Sequence, residues 1–282
     1  MPMEKIITNS MIENYRAYLW REEKARGTIE KYMKEIESFT KWLGQREVTK
    51  ELVIQWKTLL LEAGYVPRTV NAMLSAVNGF FSFLEWEECR VKFLKIQRQM
   101  FRDESKDLGV GEYRRLVDTA YRTGKERLGL VIETICGTGI RVSELKYITL
   151  EAVKNRKAEI VLKGKIRVIM LPEQLRRKLL RYAKKRKIRS GSLFLTRNGR
   201  HLSRNQIWTE MKRLCAAAGV ESSKVFPHNL RHLFARTFYE ATGDIVKLAD
   251  MLGHSSIDTT RIYLLATGVE HMHWLDRLKL VC

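Results

Sequence analysis

Apolar residues in the first hundred positions recur every three or four places, which is the spacing of amphipathic helices. Gly44 and Gly64 stand where two of these patterns stop, and Thr49 and Pro67 stand where the next ones begin. The inner faces are Ile29, Tyr32, Met33, Ile36, Phe39 and Leu43; Leu52, Trp56, Leu59 and Leu60; and Val70, Met73, Leu74, Val77, Phe81 and Leu84. Because almost nothing here alternates like a strand, we predict a bundle of four or five helices over residues 1–100.

The pattern changes after a polar, aperiodic segment, for which we predict a linker at 101–107. A second domain over 108–282 then begins with a helix near 109–122, and another helix precedes the segment CGTGIRVSEL. Residues 158–171 alternate in strand fashion around Lys163-Gly164-Lys165, which predicts a hairpin. The remaining segments are typical of helices: one after Pro172, one capped by Ser203 and Gln206 and stopped at Gly219, and others at about 228–240, 244–252 and 256–265. The predicted fold class is mainly α, an α+β chain with one small antiparallel sheet.

The charge indicates a polyanionic partner. The 282 residues hold 52 Lys and Arg against 32 Asp and Glu, a net charge of +20. Residues 105–282 contain 35 of these basic and 17 of these acidic residues, so nearly all of the excess lies in the second domain. A transmembrane run and an apolar signal core are both missing, so we expect a cytoplasmic, nucleoid-associated protein that binds nucleic acid and no membrane.

The four cysteines are scattered and form no C-x-x-C pair. They are Cys89, Cys136, Cys215 and Cys282. Neither a zinc site nor a disulfide framework is therefore expected.

Two short motifs place an arginine beside a second polar group. In GTGIRVSEL, Gly137 and Gly139 permit a tight turn, and Glu144 lies three residues after Arg141, where its carboxylate can hold the guanidinium. Taken alone, this pattern is ordinarily a surface ion pair. In PHNLRH, His228 and Arg231 project from one face of a first helical turn. An imidazole and a planar cation aimed at one point suit a phosphate oxygen, although exposed basic residues on a capped helix are the ordinary alternative.

His232 points elsewhere on the same helix, so we expect it to pack or to support the site. Lys163 sits on the hairpin turn, where a lysine is normally only solvated. His254 follows Gly253 in LGHSSIDTTRIYL, and Tyr263 comes nine residues later. A tyrosine in such an apolar helical stretch is usually a core aromatic.

Five motifs, read in order, resemble those of the tyrosine recombinases, also called phage-type integrases. They are GTGIRVSEL, LKGK, HNLRH, LGHSS and TTRIYL. The resemblance covers the whole chain, and RTVNAMLSAVNGFFSFL is similar to part of the family's core-binding helical domain, a SAM-like bundle. It implies a site-specific recombinase or integrase that exchanges DNA strands through a 3′-phosphotyrosyl intermediate, without metal or other cofactor. Integration or excision of a phage or mobile element is favoured, and Xer-type dimer resolution is the alternative.

The resemblance also assigns roles. Tyr263 is expected to be the nucleophile, His228 the general base and Lys163 the general acid, while Arg141 and Arg231 clamp the phosphate and His254 donates a hydrogen bond. Many family members have one more residue before the hairpin arginine than KGKIR has here, so Lys165 remains an alternative to Lys163. Glu144 and His232 are expected to support these groups.

The implied partners are double-stranded recombination sites, a homotetramer formed on two of them, and accessory DNA-bending or directionality factors. The expected DNA contacts are Arg68, Asn71, Ser75, Lys165, Arg167, Arg176, Arg177, Arg181, Lys184 and Lys185. Several of these lie in 176–189, which has nine basic and no acidic residues and is otherwise a solvated face. In the tail 266–282, the apolar stripe Val269, Met272, Leu275 and Leu278 is expected to dock on a neighbouring protomer, or else to fold back.

Two rivals stay open from sequence. One is a DNA-binding protein of the same fold that regulates without cutting. The other is a single-protomer topoisomerase, which shares the chemistry.

Overall fold

A computed structural model describes residues 5–96, 104–162, 165–254, 256–263, 272–273 and 276–278. The chain divides into two compact units, Met1–Arg98 and Gln99–Cys282, each with its own hydrophobic core. The division falls next to the segment for which a linker was predicted.

The first unit is a helical bundle. Its helices are α1 (Asn9–Arg21), α2 (Arg26–Leu43), α3 (Lys50–Glu62) and α4 (Pro67–Phe83). The predicted cap is confirmed, since the hydroxyl of Thr49 accepts a hydrogen bond from the backbone of Leu52. The predicted inner faces are buried or half-buried with one exception: Leu59 is 43% exposed, because Trp56 and Leu60 already fill the inner side of α3.

The second unit is also mainly helical. Its helices are α5 (Val110–Arg122), α6 (Glu126–Thr138), α7 (Leu150–Lys154), α8 (Glu173–Lys185), α9 (Arg204–Lys212), α10 (Cys215–Ala218), α11 (Pro227–Thr242), α12 (Ile245–Leu252) and α13 (Ile257–Arg261). Short 3-10 helices cover Glu87–Cys89 in the first unit and Glu104–Lys106, Val142–Tyr147 and Ser222–Lys224 in the second. The apolar faces of α5, α6, α8 and α11 meet in one core.

The predicted hairpin is confirmed as two antiparallel strands, β1 (Lys157–Leu162) and β2 (Lys165–Met170). Val161 pairs with Ile166, and Leu162 pairs with Lys165. Ala158, Ile160 and Ile169 face the core, whereas alternate positions point outward, as the pleat requires. The fold class predicted from sequence is thus confirmed in the described residues.

Two local predictions were wrong. The segment from Ser203 to Gly219 is not one helix, since α9 ends at Lys212 and α10 begins at Cys215, although the Ser203–Gln206 capping box is present. Gly137 lies inside α6, so the turn before Arg141 depends on Gly139 alone, whose φ is +65°. A Cβ at Gly139 would also lie 2.4 Å from the ring of Phe234. In the described part of the chain, no helix combines the length and the apolar character needed to cross a bilayer.

Candidate active site

One cleft of the second unit collects most of the predicted catalytic side chains. It has a volume of about 310 Å³, and Arg141, His228, Arg231 and Tyr263 all line it. These residues come from the segment after α6, from the first turns of α11 and from just beyond α13. Residues that are 122 positions apart in sequence therefore face one space, as the order of motifs predicted.

Arg141 is held in place by the carboxylate of Glu144. The backbone N–H of Arg141 donates to Oε2 of Glu144 at 2.7 Å, and its Nη1 donates to Oε1 at 3.0 Å. Glu144 is 1% exposed, whereas the side chain of Arg141 is 42% exposed. The pair is consequently more than a surface ion pair, because the buried carboxylate orients a guanidinium that still reaches the cleft.

Arg167 uses its guanidinium inside the protein, although the sequence analysis predicted it as a DNA contact. Its Nη2 donates to Oε2 of Glu144, and its Nη1 donates to the backbone carbonyl of Met251 at 3.1 Å. The side chain is only 12% exposed. The alternating pattern of the strand explains this, since position 167 falls on the inner face of β2.

Arg231 is the most enclosed cation of the cleft, with 2% exposure. Its Nη1 donates to the carbonyl of Gly139, and its Nη2 donates to the carbonyl of Leu252 at 2.7 Å. Burial, followed by the nearby charge of Arg141, lowers the pKa of Arg231 to about 10. The guanidinium therefore remains charged at neutral pH and is fixed before any substrate arrives.

His254 lies between Arg231 and Thr260. Its Nε2 is 3.0 Å from Nη2 of Arg231, and its Nδ1 is 2.8 Å from Oγ1 of Thr260, a buried hydroxyl. A guanidinium can only donate, so Nε2 must accept and the ring proton sits on Nδ1. Burial first, and then Arg231, lowers the pKa of His254 to about 4. The ring is thus neutral and accepting here, whereas the sequence predicted a donor to phosphate.

Tyr263 satisfies both interpretations of its motif. The residue is 3% exposed and packs with Ala235, Leu248 and Leu252, as a core aromatic would. Three imidazole rings surround it: the ring centroids of His232, His254 and His228 lie 4.3, 5.7 and 5.9 Å from its own. The tyrosine is therefore enclosed by the same groups that are candidates to move its proton.

His228 lies in the first turn of α11, at the mouth of the cleft. Partial burial lowers its pKa, and the charges of Arg231 and Arg204 lower it further. A lowered pKa favours the neutral imidazole, which can accept a proton. The ring of His232 stands 4.5 Å from that of His228, so the two imidazoles pack together, and a supporting role for His232 stays a prediction.

Of the two hairpin lysines, Lys163 lies outside the described residues. Of Lys165 only the backbone is described, and it pairs with Leu162 of β1. Their assignment as general acid stays a prediction.

The expected DNA contacts of α4 differ in how free their side chains are. Arg68 is exposed. Both amide atoms of Asn71 bond the backbone of Leu94, at 2.9 Å and 2.8 Å, and the hydroxyl of Ser75 lies 3.3 Å from that of Tyr32. Asn71 therefore first serves to hold the segment after α4, and DNA contact at these positions stays a prediction.

The basic face of α8 is partly neutralised. Arg176 and Arg177 both bond Glu173, and Lys185 bonds Glu126 of α6 at 2.8 Å. Arg181 and Lys184 are exposed. Phosphate contact by this helix remains a prediction that rests on its charge.

The sequence analysis missed two residues of the site. Arg204 lines the cleft and adds positive charge beside His228, and Thr260 fixes the tautomer of His254. Arg204 belongs to no motif, and as the first residue of α9 it looks like any exposed helical arginine. Among the described residues, no group of three or more His, Cys, Asp or Glu side chains could hold a metal ion.

Comparison with known proteins identifies the class to which this cleft belongs. The family model described as the phage integrase family matches residues 106–268, and that of the phage integrase N-terminal SAM-like domain matches residues 12–88. The chain belongs to the phage integrase family, the tyrosine recombinases, which are DNA strand-transfer enzymes.

Particular relatives lie in the Xer branch. The chain is 32% identical to tyrosine recombinase XerA of Thermococcus kodakarensis over 94% of this chain and 93% of that protein. It is 28% identical to tyrosine recombinase XerD of Xanthomonas campestris, over 98% of this chain and 93% of that protein. A crystal structure of XerA matches with a TM-score of 0.53 at 24% identity, covering 97% and 99% of the two chains. A crystal structure of a lambda integrase dimer bound to a core site matches with a TM-score of 0.73 at 16% identity. This match covers 92% of the present chain and 77% of the integrase chain. These structural matches show the fold.

Proposed function

We propose that this chain cuts and rejoins DNA at a specific site, with Tyr263 forming a 3′-phosphotyrosyl link. The observation that carries the proposal is the single cleft in which Arg141, His228, Arg231 and Tyr263 meet. Two fixed cations and a neutral imidazole beside a tyrosine match the needs of a phosphodiester under attack.

The proposed step conserves the energy of the phosphodiester. The Oη atom of Tyr263 bonds to phosphorus, the bond from phosphorus to the 5′ oxygen breaks, and the freed 5′-hydroxyl leaves. A tyrosine hydroxyl has an ordinary pKa of about 10, so it needs a base, and His228 takes its proton. Attack by a 5′-hydroxyl of the partner DNA reverses the step and joins the exchanged strand. No nucleotide cofactor is consumed.

The leaving 5′ oxygen takes its proton from a lysine of the hairpin, Lys163, with Lys165 as the alternative. Arg141 and Arg231 bind the non-bridging oxygens and offset the charge that builds in the transition state. Because the guanidinium of Arg231 is already fixed by two backbone carbonyls, little reorganisation is needed at the moment of reaction. We propose that these donors replace a metal ion. Undiminished cleavage in the presence of EDTA would support this, and a requirement for Mg²⁺ would contradict it.

The remaining exposed positive charge serves to hold DNA phosphates. Arg204 at the cleft, the exposed Arg181 and Lys184 of α8 and Arg68 of α4 are the free side chains best suited to this. Their contribution is electrostatic, so affinity should fall steeply as salt is raised.

We propose that the tail of one copy docks on another, so that four copies assemble on two sites. Of the apolar stripe, Met272 and Leu278 are described, and they are 59% and 57% exposed. Val110, Tyr113, Leu233, Phe234 and Phe238 line an apolar groove of about 370 Å³ between α5 and α11. We assign the tail of a second copy to this groove. A solved lambda integrase tetramer on a Holliday junction, with a TM-score of 0.73 at 16% identity, has the same fold.

The proposed biological role is based on the proteins to which this chain is similar. The sequence favoured integration or excision of a mobile element, but the similar curated proteins are XerA and XerD recombinases matched over nearly their full length. We therefore propose the alternative, resolution of chromosome or plasmid dimers. Deletion of the gene from its host should cause chromosome dimers to accumulate. An unchanged chromosome, together with loss of excision of a neighbouring element, would restore the integrase interpretation. Accessory DNA-bending or directionality factors remain an expectation.

The decisive experiment traps the covalent intermediate. The core site is first obtained by selecting bound duplexes from random DNA. A nicked duplex carrying that site then loses the short fragment bearing the 5′-hydroxyl after cleavage, so the adduct accumulates. We expect an adduct with wild type and none with Tyr263→Phe.

Two outcomes would favour the rivals. Tight binding with no adduct from wild type would mean a DNA-binding protein that does not cut. Relaxation of plasmids that lack the core site, by the monomer, would mean a topoisomerase.

A further inference from the structure

Arg167 occupies an unusual place for a residue of a basic hairpin. Its neighbours in β2, Ile166 and Val168, are 70% and 48% exposed, whereas the side chain of Arg167 is 12% exposed and points into the protein. Its register partner in β1 is Ile160. The one guanidinium of β2 is thus directed toward Glu144 and Met251 and away from solvent.

Three parts of the site meet at this guanidinium. Its Nη2 bonds the carboxylate of Glu144, which in turn holds both the backbone and the guanidinium of Arg141. Its Nη1 bonds the carbonyl of Met251, next to the end of α12, which leads through Gly253 into His254. The residue therefore ties the hairpin strand to the supports of two catalytic candidates.

We infer that Arg167 is a positioning residue for strand cleavage, which aligns Arg141 and the hairpin without touching DNA. This inference rests on the proposed function. Because a misplacement of about 1 Å at a catalytic group can cost about 100-fold in rate, a clamp of this kind is needed where three separate segments build one site.

The charges explain why an arginine is needed at position 167. Glu144 is buried and accepts hydrogen bonds from the guanidiniums of Arg141 and Arg167. Removal of the Arg167 guanidinium would therefore take one donor away from Oε2 of this buried carboxylate. Burial lowers the pKa of Arg167, while the charge of Glu144 opposes that change, and the group stays cationic. A planar fork can reach two partners in different directions, which a lysine ammonium on a flexible stem does poorly.

Gly253 supplies an independent way to disturb the clamp. A Cβ at Gly253 would lie 2.4 Å from Cδ of Arg167, and the residue has φ +62°. Gly243 has nearly the same backbone, with φ +65°, but a Cβ there would meet nothing within 4 Å. Gly253→Ala and Gly243→Ala therefore share the backbone strain and differ in the clash with Arg167.

The experiment compares Arg167→Gln and Arg167→Lys with Val168→Thr, an outward neighbour on the same strand. For Arg167→Gln we expect DNA affinity and its salt dependence close to wild type, with adduct formation about 100-fold slower. Arg167→Lys should recover about tenfold of that loss, because one of the two bonds returns. Gly253→Ala should slow adduct formation more than Gly243→Ala. Equal losses of affinity and cleavage in Arg167→Gln would mean that Arg167 binds DNA and would overturn the inference.

A substrate change separates positioning from a general loss of structure. A methylphosphonate at the scissile position lacks one charged oxygen, so it needs less of the Arg141 clamp. On this substrate we expect adduct formation by Arg167→Gln to be only about tenfold slower than by wild type. A deficit that is the same on both substrates would indicate only a damaged fold.

A measurement without DNA tests the network even if the proposed function is wrong. In NMR spectra of the protein alone, the backbone amide of Arg141 should shift and exchange about tenfold faster in Arg167→Gln, because its acceptor Glu144 is released. Val168→Thr should leave this amide unchanged. An unperturbed Arg141 amide in Arg167→Gln would overturn the inference, whereas failure of wild type to form an adduct would overturn the proposed function alone.

Discussion

Arg231 donates a hydrogen bond to Nε2 of His254 across 3.0 Å, although both groups are candidates to bind the same phosphate. The bond fixes the imidazole as a neutral acceptor, and the same imidazole stacks on the ring of Tyr263 at 5.7 Å between centroids. For His254 to donate to a phosphate, this bond must break or its proton must move to Nε2. We therefore expect DNA binding to rearrange the hydrogen bond between Arg231 and His254.

The neutral His254 predicts a dependence of stability on pH. Its pKa is about 4 in the folded protein and about 6.5 in an unfolded chain, so the unfolded state binds more protons between these values. Stability should fall as pH drops from about 6.5 to 4. In His254→Gln, which keeps an acceptor for Arg231 but cannot titrate, the loss between pH 7 and pH 4.5 should be smaller by about 1–2 kcal/mol.

Urea unfolding of both proteins at the two pH values measures this difference, because other titrating groups cancel in the comparison. An equal loss in wild type and in His254→Gln would mean that His254 is protonated in the folded state.

Thr260 predicts a second effect on the same ring. Thr260→Val conserves shape but leaves the Nδ1 proton of His254 buried without an acceptor, which should cost about 1–3 kcal/mol of unfolding free energy. Adduct formation should slow by about tenfold, because the ring is free to turn, while DNA affinity stays unchanged. Thr260→Ser keeps the hydroxyl and serves as the control. A Thr260→Val protein that cleaves at the wild-type rate would show that the tautomer of His254 is unimportant.

Arg204 predicts a shift in the pH profile. Its positive charge helps to lower the pKa of His228, so Arg204→Gln should raise that pKa. If His228 must be neutral to take the proton of Tyr263, the acidic limb of adduct formation should move to higher pH. Arg204→Lys keeps the charge and should hold the limb in place. A limb that does not move in Arg204→Gln would remove His228 from the role of base.

The sequence predicted the elements and the cleft well where the information is local. Periodicity placed α2 and α4, and the caps at Thr49 and Ser203 follow from short-range hydrogen bonds that the sequence displays. The pairing of Arg141 with Glu144 is also local, since three residues separate them. Catalytic residues far apart in sequence were found through the resemblance of their motifs to a family.

The misses have one physical origin, which is contact between distant segments. Arg167 carries the same charge as its basic neighbours, and only the packing of β2 against α12 shows that it bonds Glu144 and Met251. Arg204 enters the site because the start of α9 lies beside the first turn of α11. Leu59 was assigned to a buried face that Trp56 and Leu60 already occupy. Periodicity states which residues share a face, but not which tertiary partner that face meets.

The choice between Lys163 and Lys165 can be decided by changing the leaving group. If the 5′-bridging oxygen of the substrate is replaced by sulfur, the group leaves as a thiolate, which needs no proton because thiol pKa values lie near 8.5. Lys163→Ala should cleave the oxygen substrate about 100–1,000-fold more slowly than wild type and the sulfur substrate nearly as fast. Lys165→Ala should show no such recovery. The reverse pattern would assign the general acid to Lys165, and recovery in neither variant would assign it elsewhere.

Truncation after residue 268 tests whether the tail positions the nucleophile. Tyr263 lies two residues beyond the short helix α13, and the tail begins three residues after it in sequence, at position 266. If docking of the tail on a second copy holds that segment in place, truncation should slow adduct formation by about 100-fold and weaken binding to a single site by less than about threefold. Phe238→Asp in the groove should reproduce the defect, because it puts a charge where the tail would lie.

Mixing provides the internal control for the truncation. A truncated copy keeps its groove and a Phe238→Asp copy keeps its tail, so a mixed assembly restores one tail-in-groove contact that neither protein forms alone. We expect adduct formation to recover in the mixture, on the copy whose tail is accepted. If the truncated protein loses binding and cleavage to the same extent, the tail acts on folding or on DNA affinity, and the proposed link between docking and the placement of Tyr263 fails.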